Sequence, residues 1–266
     1  MPQNAIVAPN LSNDRRIASV SLVDWLSALP EGDRIVSRAI VILDRMIRER
    51  GAVILPQHDF TLLRDVVDAN RGNRASLSPM HDTRFCRLVL NNSFWLAGFD
   101  ASGRVVTTNS GKLFDWRKTN LEAEARSLRL VYDDPAQAPA GDLCHIDSPI
   151  ARRISGFVFH SGTVWRHPQH RGELSNGIRI SQLTGRLTRM VGLALWNADF
   201  YFSLTRQTLV DRGVLSTLGY SRFEPGLKLK LLAGEELDVC LNWMDRSELQ
   251  EDARTIVEDG HLRQLD

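Results

Sequence analysis

Between Val164 and Ile180 the sequence reads VWRHPQHRGELSNGIRI, a proline with histidines and arginines at the junction of a strand-like run and a helix-like one. The first turn of a helix leaves backbone N–H groups without partners and carries partial positive charge. A phosphate group satisfies both, with donors here from Arg171, Gly172, Glu173, Leu174, Ser175 and Asn176 and a forked contact from the Arg171 guanidinium. The same residues also suit a charged loop capped by Ser175 or Asn176, with no anion bound. On the preceding run, ISGFVFHSGTVW, His160 is the one side chain whose ordinary pKa suits a base near neutral pH. Strand alternation puts it on one face with Val158 and Gly156, where it can equally be a hydrogen-bonded rim histidine. Asp199, in WNADFYF, offers a carboxylate for a base or an amine anchor, or ends a helix and starts a strand.

Two other constellations are weaker. His160, His167 and His170 invite a zinc reading, but Pro168 makes that segment irregular, without the oriented ligand set that catalytic zinc takes, so no metal is expected. Cys144 and His145 are adjacent, so on an extended chain they point to opposite faces and are poorly placed to share a proton.

The elements that must position these groups follow from periodicity. DRIVSRAIVILDRMIRERG places Ile35, Ala39, Ile42, Met46 and Ile47 on one helical stripe that starts at an Asp and stops at Gly51. AVILP reads as a short strand, and DFTLLRDVVDANRG as a helix with Asp59 as N-cap. RFCRLVL, SFWLAGF and RVVTTNSGKLFDW read as strands, the last two joined by the turn DASG. NLEAEARSLRLVY predicts a helix and DDPAQAPAGDLCHIDSP a loop. After the basic turn, Ile180, Leu183, Leu187, Met190, Val191 and Ala194 keep helical spacing, with Arg179, Arg186 and Arg189 expected on the solvated side. LALWNADFYFSL then reads as a strand, TRQTLVDRGVLSTLG as a helix closing at Gly219, LKLKLLAG and ELDVCLNWM as paired strands, and RSELQEDARTIVED as a last helix. The tryptophans fall mainly on strands, where they fill a core.

Composition narrows the function classes. The chain has 266 residues, with Lys+Arg 33 against Asp+Glu 32 and a net charge of +1, so no global field draws it to nucleic acid or an anionic membrane. Three cysteines far apart fit neither a disulfide framework nor a four-thiolate zinc site. The amino terminus lacks the pattern of a secretory signal and no apolar run approaches bilayer length, which leads to the expectation of a cytoplasmic protein. Residues 1–31 are expected to form an arm, and 32–266 a single domain.

The order hairpin, strand, basic turn, long helix, strand, helix and two final strands resembles that of GCN5-related N-acetyltransferases. The strand–helix turn supplies Pro168, Arg171 and Gly172 at the spacings of the family's VxPxxRGxG stretch, and LGYSRF and LNWMDRSEL resemble the family's ending. The resemblance covers about residues 85–246. It implies a mixed α/β fold, a central and mostly antiparallel sheet with splayed strands between helices. It also implies acetyl-CoA as cofactor, Trp165, Arg166 and His167 lending backbone groups to the pantetheine arm, and direct transfer to a small-molecule or peptide amine. The acceptor cleft would come from residues such as 58–85 and 133–150, and a homodimer is left open. The sequence departs from the family at Leu174 and Asn176, where glycines are usual, and at Leu215, where the family's acidic tyrosine commonly stands. Tyr220 and Tyr201 are the substitutes for that acid, and His160 and Asp199 the candidates for the base. These departures motivate the alternative of a non-catalytic ligand-sensing or protein-interaction module on the same fold. Nothing in the sequence indicates a pocket for a long acyl chain.

Overall fold

The structure is a computed structural model that describes residues 21–27, 33–70, 77–170, 179–220, 222–232 and 234–259. The described chain opens with α1 (Leu22–Ser27), α2 (Arg34–Arg48), β1 (Val53–Gln57) and α3 (Phe60–Ala69). A 3-10 turn at Pro79–His81 leads into the hairpin β2 (Ser93–Phe99) and β3 (Val105–Trp116). An excursion carrying α4 (Leu121–Arg126) and β4 (Leu143–His145) precedes β5 (Gly156–Arg166), α5 (Ile180–Trp196) and β6 (Phe200–Arg206). Two short helices, α6 (Gln207–Val210) and α7 (Val214–Thr217), then β7 (Phe223–Lys230), β8 (Leu237–Asp245) and α8 (Arg246–Asp259) complete it. Among the described residues no helix is long and apolar enough to cross a membrane.

Local chemistry sets the element ends. Asp33 caps α2 by accepting from the Ile35 amide at 2.8 Å, and Asp59 caps α3 by accepting from Thr61 and Leu62. In α2 the fully buried row runs through Val36, Ala39, Ile40, Leu43, Met46 and Ile47, while Ile35 and Ile42 are half-buried. Apolar residues lie at both candidate stripes, and packing on α5 and α8 selects the row one position over.

Among the described residues eight strands join one sheet in the order β1-β2-β3-β5-β6-β8-β7-β4. Every pairing is antiparallel except β5 with β6. One face packs against α2, α5 and α8, the other against α3 at the β1–β3 end and against the α4–β4 excursion over the remainder. That excursion crosses the sheet to add β4 at the far edge, where Cys144 pairs with Leu229. Cys144 is buried and His145 exposed, as alternation requires.

The parallel pair decides the geometry of the molecule. Its ladder joins only Val158, Phe159 and His160 to Phe200, Tyr201 and Phe202, although β5 continues to Arg166 and β6 to Arg206. Past His160 and Phe202 the two strands no longer pair, and the sheet is split. A second irregularity lies on the same stretch of β5. Thr108 pairs with Trp165 and Ser110 with Gly162, so Thr163 and Val164 together oppose Asn109, with Thr163 at a left-handed φ of 55°. For a β-branched residue that conformation is strained, and such strain persists only where the surroundings enforce it.

Several expectations about elements change, among them the helix expected over NLEAEARSLRLVY, which ends at Arg126. LALW is the end of α5 rather than the start of a strand, because Asn197 at φ 45° ends the helix only after Trp196. RFCRLVL forms turns, since side chains capture its backbone: the Arg87 amide donates to Asp133 at 2.6 Å and the Val89 amide to Asn92 at 2.9 Å. The segment before Gly219 breaks into α6 and α7 at Gly213, which has φ 72°.

Candidate functional site

Ser161 follows the last paired residue of β5, and its hydroxyl lies 2.6 Å from that of Tyr201 on β6. The Tyr201 hydroxyl also bonds that of Tyr220, which sits 3.1 Å from Ser203 Oγ. Ser203 in turn accepts from Asn242 Nδ2 at 3.2 Å. A chain of buried hydroxyls therefore bridges the two strands where their backbones stop pairing. Tyr220 is brought there by Gly219, whose φ of 74° turns the chain after α7. Behind the tyrosines stands Arg189, fully buried, its guanidinium 4.9 Å from the Tyr220 ring and 5.7 Å from the Tyr201 ring. Arg189 donates to the Leu218 carbonyl at 2.8 Å and to Asp252 at 3.2 Å, and Arg186 approaches the same carboxylate at 3.9 Å. Both arginines thus face inward, contrary to the expectation of a solvated row, because α8 supplies Asp252 to hold them. Burial raises the Tyr201 hydroxyl above its usual range and keeps it protonated.

His160 projects from the opposite face of β5. Its Nδ1 lies 3.1 Å from Nε2 of His81, and His81 Nδ1 lies 3.1 Å from Ser110 Oγ. Ser110 donates to the Gly162 carbonyl at 3.1 Å and lies 2.6 Å from the Thr163 hydroxyl. With that hydroxyl proton used on the carbonyl, His81 donates to Ser110 and His160 donates to His81, which leaves the lone pair of His160 on Nε2. Burial lowers both histidines, helped by the nearby Lys112 ammonium, and His160 falls to about 3. Lys112, the cross-strand neighbour of His160, is itself buried and 3.4 Å from Asp133. The pair is neutral at physiological pH. Gly162 makes room for it, since a Cβ there would sit 2.9 Å from His81 Nε2.

The other candidate residues lie as follows. Asp199 is at the closed end of the parallel pair, with Oδ2 accepting from the Phe157 amide at 2.8 Å and Oδ1 bound by Arg246 at 2.7 Å. It anchors the strands at the end opposite the split and is not brought together with His160 or Tyr220. Trp165 is buried beneath α3, and Arg166 and His167 are half-buried at the end of β5, where the His167 amide donates to Val106 at 2.8 Å. Arg171, Gly172, Glu173, Leu174, Ser175 and Asn176 lie outside the described residues. Leu215 is in the core. Among the described residues no group of three or more His, Cys, Asp or Glu is placed to hold a metal. The sequence reasoning missed His81, 79 positions before His160, because a contact between two loops and strands that far apart leaves no periodic trace.

Fold and site together define a mixed α/β protein whose sheet opens at a single parallel pair ahead of a long helix. No family model matches the sequence, and no curated protein is significantly similar to it. In structure the chain is similar to GCN5-related N-acetyltransferases, as a distant likeness. A mutant of spermidine N-acetyltransferase SpeG from Vibrio cholerae has 9% identity and a TM-score of 0.40, covering 75% of this chain and 96% of that one. A GCN5-related N-acetyltransferase from Brucella melitensis has 11% identity and a TM-score of 0.32, covering 63% and 57%. The CoA-dependent acyl-homoserine lactone synthase MesI has 13% identity and a TM-score of 0.35, covering 81% and 90%.

Proposed function

We propose that the protein is an N-acyltransferase that moves an acyl group, acetyl in the simplest case, from coenzyme A to an amine by direct transfer. The observation that carries this reading is the split itself: one parallel pair that ends at His160 and Phe202, with buried hydroxyls across the opening and a neutral histidine pair beside it. Arg171 to Asn176 would hold the pyrophosphate, and the end of β5 at Trp165, Arg166 and His167 would pair with the pantetheine amides. Asn109, fully buried opposite the β5 bulge, has neither amide oxygen nor nitrogen hydrogen-bonded among the described residues, the kind of orphan that a ligand amide satisfies. Bound in the split, an acyl-CoA supplies an activated thioester for transfer to an amine with release of free thiol. His160 stays neutral and offers its Nε2 lone pair as a hydrogen-bond acceptor that orients the amine N–H, the His81–Ser110 chain fixing that tautomer, while the proton that the amine gives up passes to solvent. Tyr220 hands its hydroxyl proton to the departing sulfur and is backed by Ser203 and Tyr201. Asp199 holds the closed end of the strands and takes no proton.

The test is thiol release from acetyl-CoA with a panel of amines and peptides, comparing the wild type with His160→Gln. Amine-dependent thiol that drops at least tenfold in the variant is expected. Coenzyme binding without thiol release from any acceptor would favour the non-catalytic module instead.

A further inference from the structure

A cavity of about 450 Å3 lies on the His160 face of the sheet, at the open end of the split. Its floor is the apolar side of β6, β8 and β7, with Leu204, Leu229, Leu237 and Val239, and its near wall is Leu77 and Pro79. That wall belongs to the 3-10 turn that carries His81 against His160. Along β6 the same face presents Phe202, whose ring is 4.8 Å from that of His160, then Leu204 and then Arg206. The cavity thus begins one side chain beyond Phe202, about 7 Å further along the strand. Its far wall is the β7–β8 turn, fixed by Leu232, which has a φ of 57° and donates its amide to Asp142 at 3.1 Å. Asp142 also accepts from the Tyr132 hydroxyl, so the turn is tied to the α4–β4 excursion and the cavity is built before any ligand arrives.

Its charge is as informative as its shape. Among the described residues the only ionisable side chains on the lining are Arg206 and Glu235, both exposed. A polyamine with several ammonium groups would meet one carboxylate, one cation and an otherwise apolar lining. An amine with a single nitrogen and an apolar tail would lay its tail along leucine, with its head directed along β6 past Phe202 toward His160. Ser78 adds a buried hydroxyl oxygen with no hydrogen-bond partner among the described residues.

We propose that this cavity is the subsite for the apolar tail of the acceptor, and that the acceptor is an alkyl- or arylalkylamine with one nitrogen rather than a polyamine. The assignment rests on the acyltransferase reading for what happens at the nitrogen, but binding tests it separately. Titration calorimetry of the full chain with propylamine, hexylamine and spermidine is the experiment, on the wild type and on Leu229→Trp, which fills the floor. Affinity is expected to rise about fourfold per added methylene from propylamine to hexylamine. Leu229→Trp should lose at least tenfold for hexylamine with little change for propylamine, while its circular dichroism and melting temperature report that it is folded. A second variant, Leu204→Phe, should show the same tail-length dependence to a smaller degree. Tighter binding of spermidine than of hexylamine, or hexylamine binding that neither variant alters, overturns the proposal. So does chain-length-dependent binding of octanoyl-CoA over acetyl-CoA that Leu229→Trp abolishes, which would give the cavity to the acyl donor. Tail-dependent amine binding without any thiol release would sink the acyltransferase reading and leave the subsite standing.

Discussion

Replacing Tyr220 by phenylalanine removes one oxygen from the bridge across the split and leaves its scaffold in place. Ser203 keeps its bond from Asn242 at 3.2 Å and Tyr201 keeps Ser161 at 2.6 Å, so no buried hydroxyl is orphaned. The ring stays beneath Arg189 as before. The stability cost is that of the two bonds the Tyr220 hydroxyl makes, to Tyr201 and Ser203, about 2 kcal/mol, which lowers the melting temperature by about 4–8 °C for a chain of this size. The variant also removes the proton donor proposed for the leaving sulfur, and loss of a positioned general acid costs about 10²–10⁴-fold in rate. The two effects separate cleanly, because about 2 kcal/mol leaves nearly every molecule folded and cannot by itself produce a hundredfold loss. The assay is thiol release from acetyl-CoA with the best amine, followed across pH beside a thermal melt. A kcat within about threefold of wild type would refute the role given to Tyr220.

Other consequences follow from the buried polar groups and the tight packing of α5. His81 and His160 are depressed by burial, so between their ordinary pKa of about 6.5 and the folded value of about 3 for His160 the unfolded chain binds protons that the folded chain does not. Stability is therefore full above about pH 6.5 and falls as acid is added, by up to about 1.4 kcal/mol per pH unit for each histidine. Urea midpoints at pH 7.0 and 5.5 should differ accordingly and the difference should shrink in His160→Gln; equal midpoints contradict the burial. Gly192→Ala would place a Cβ 2.5 Å from Cε1 of the buried Phe159 ring. Overpacking of about 1–3 kcal/mol outweighs a helix-propensity gain of about 1 kcal/mol, so a lower melting temperature is expected and a higher one refutes the contact. Asp252→Asn leaves Arg189 and Arg186 without their shared carboxylate, at a cost of about 3 kcal/mol read from a denaturant melt, and an unchanged midpoint would show that the pair is not held this way.

Much of the fold was legible because it is carried by local patterns. The caps at Asp33 and Asp59, the alternation in β2 and β3 and the helical spacing of α5 each specify an element without reference to the remainder of the chain. What escaped depends on distant partners. Arg186 and Arg189 have the composition of a solvated helix face, and only the carboxylate of Asp252 on α8 turns that face inward. β4 lay within a stretch read as loop from its proline and glycine content, and a three-residue strand is fixed by its edge partner β7 rather than by its own sequence. At the site, the strand bearing His160 and the aromatic after Gly219 were visible, but not the bonds of His160 to His81 or of Tyr220 to Ser203, which join residues on different elements. Sheet topology then supplies the split that no single segment encodes.

We propose that the opening between β5 and β6 receives an acyl-CoA held at the basic turn that the sequence predicts around Arg171. Titration calorimetry of the full chain with acetyl-CoA, beside Arg171→Ala, tests it most directly. Saturable heat with one equivalent of acetyl-CoA, weakened at least tenfold in the variant, is the result expected from a charge-assisted phosphate contact at that turn. No heat at high protein concentration, or binding that Arg171→Ala leaves unchanged, would contradict it.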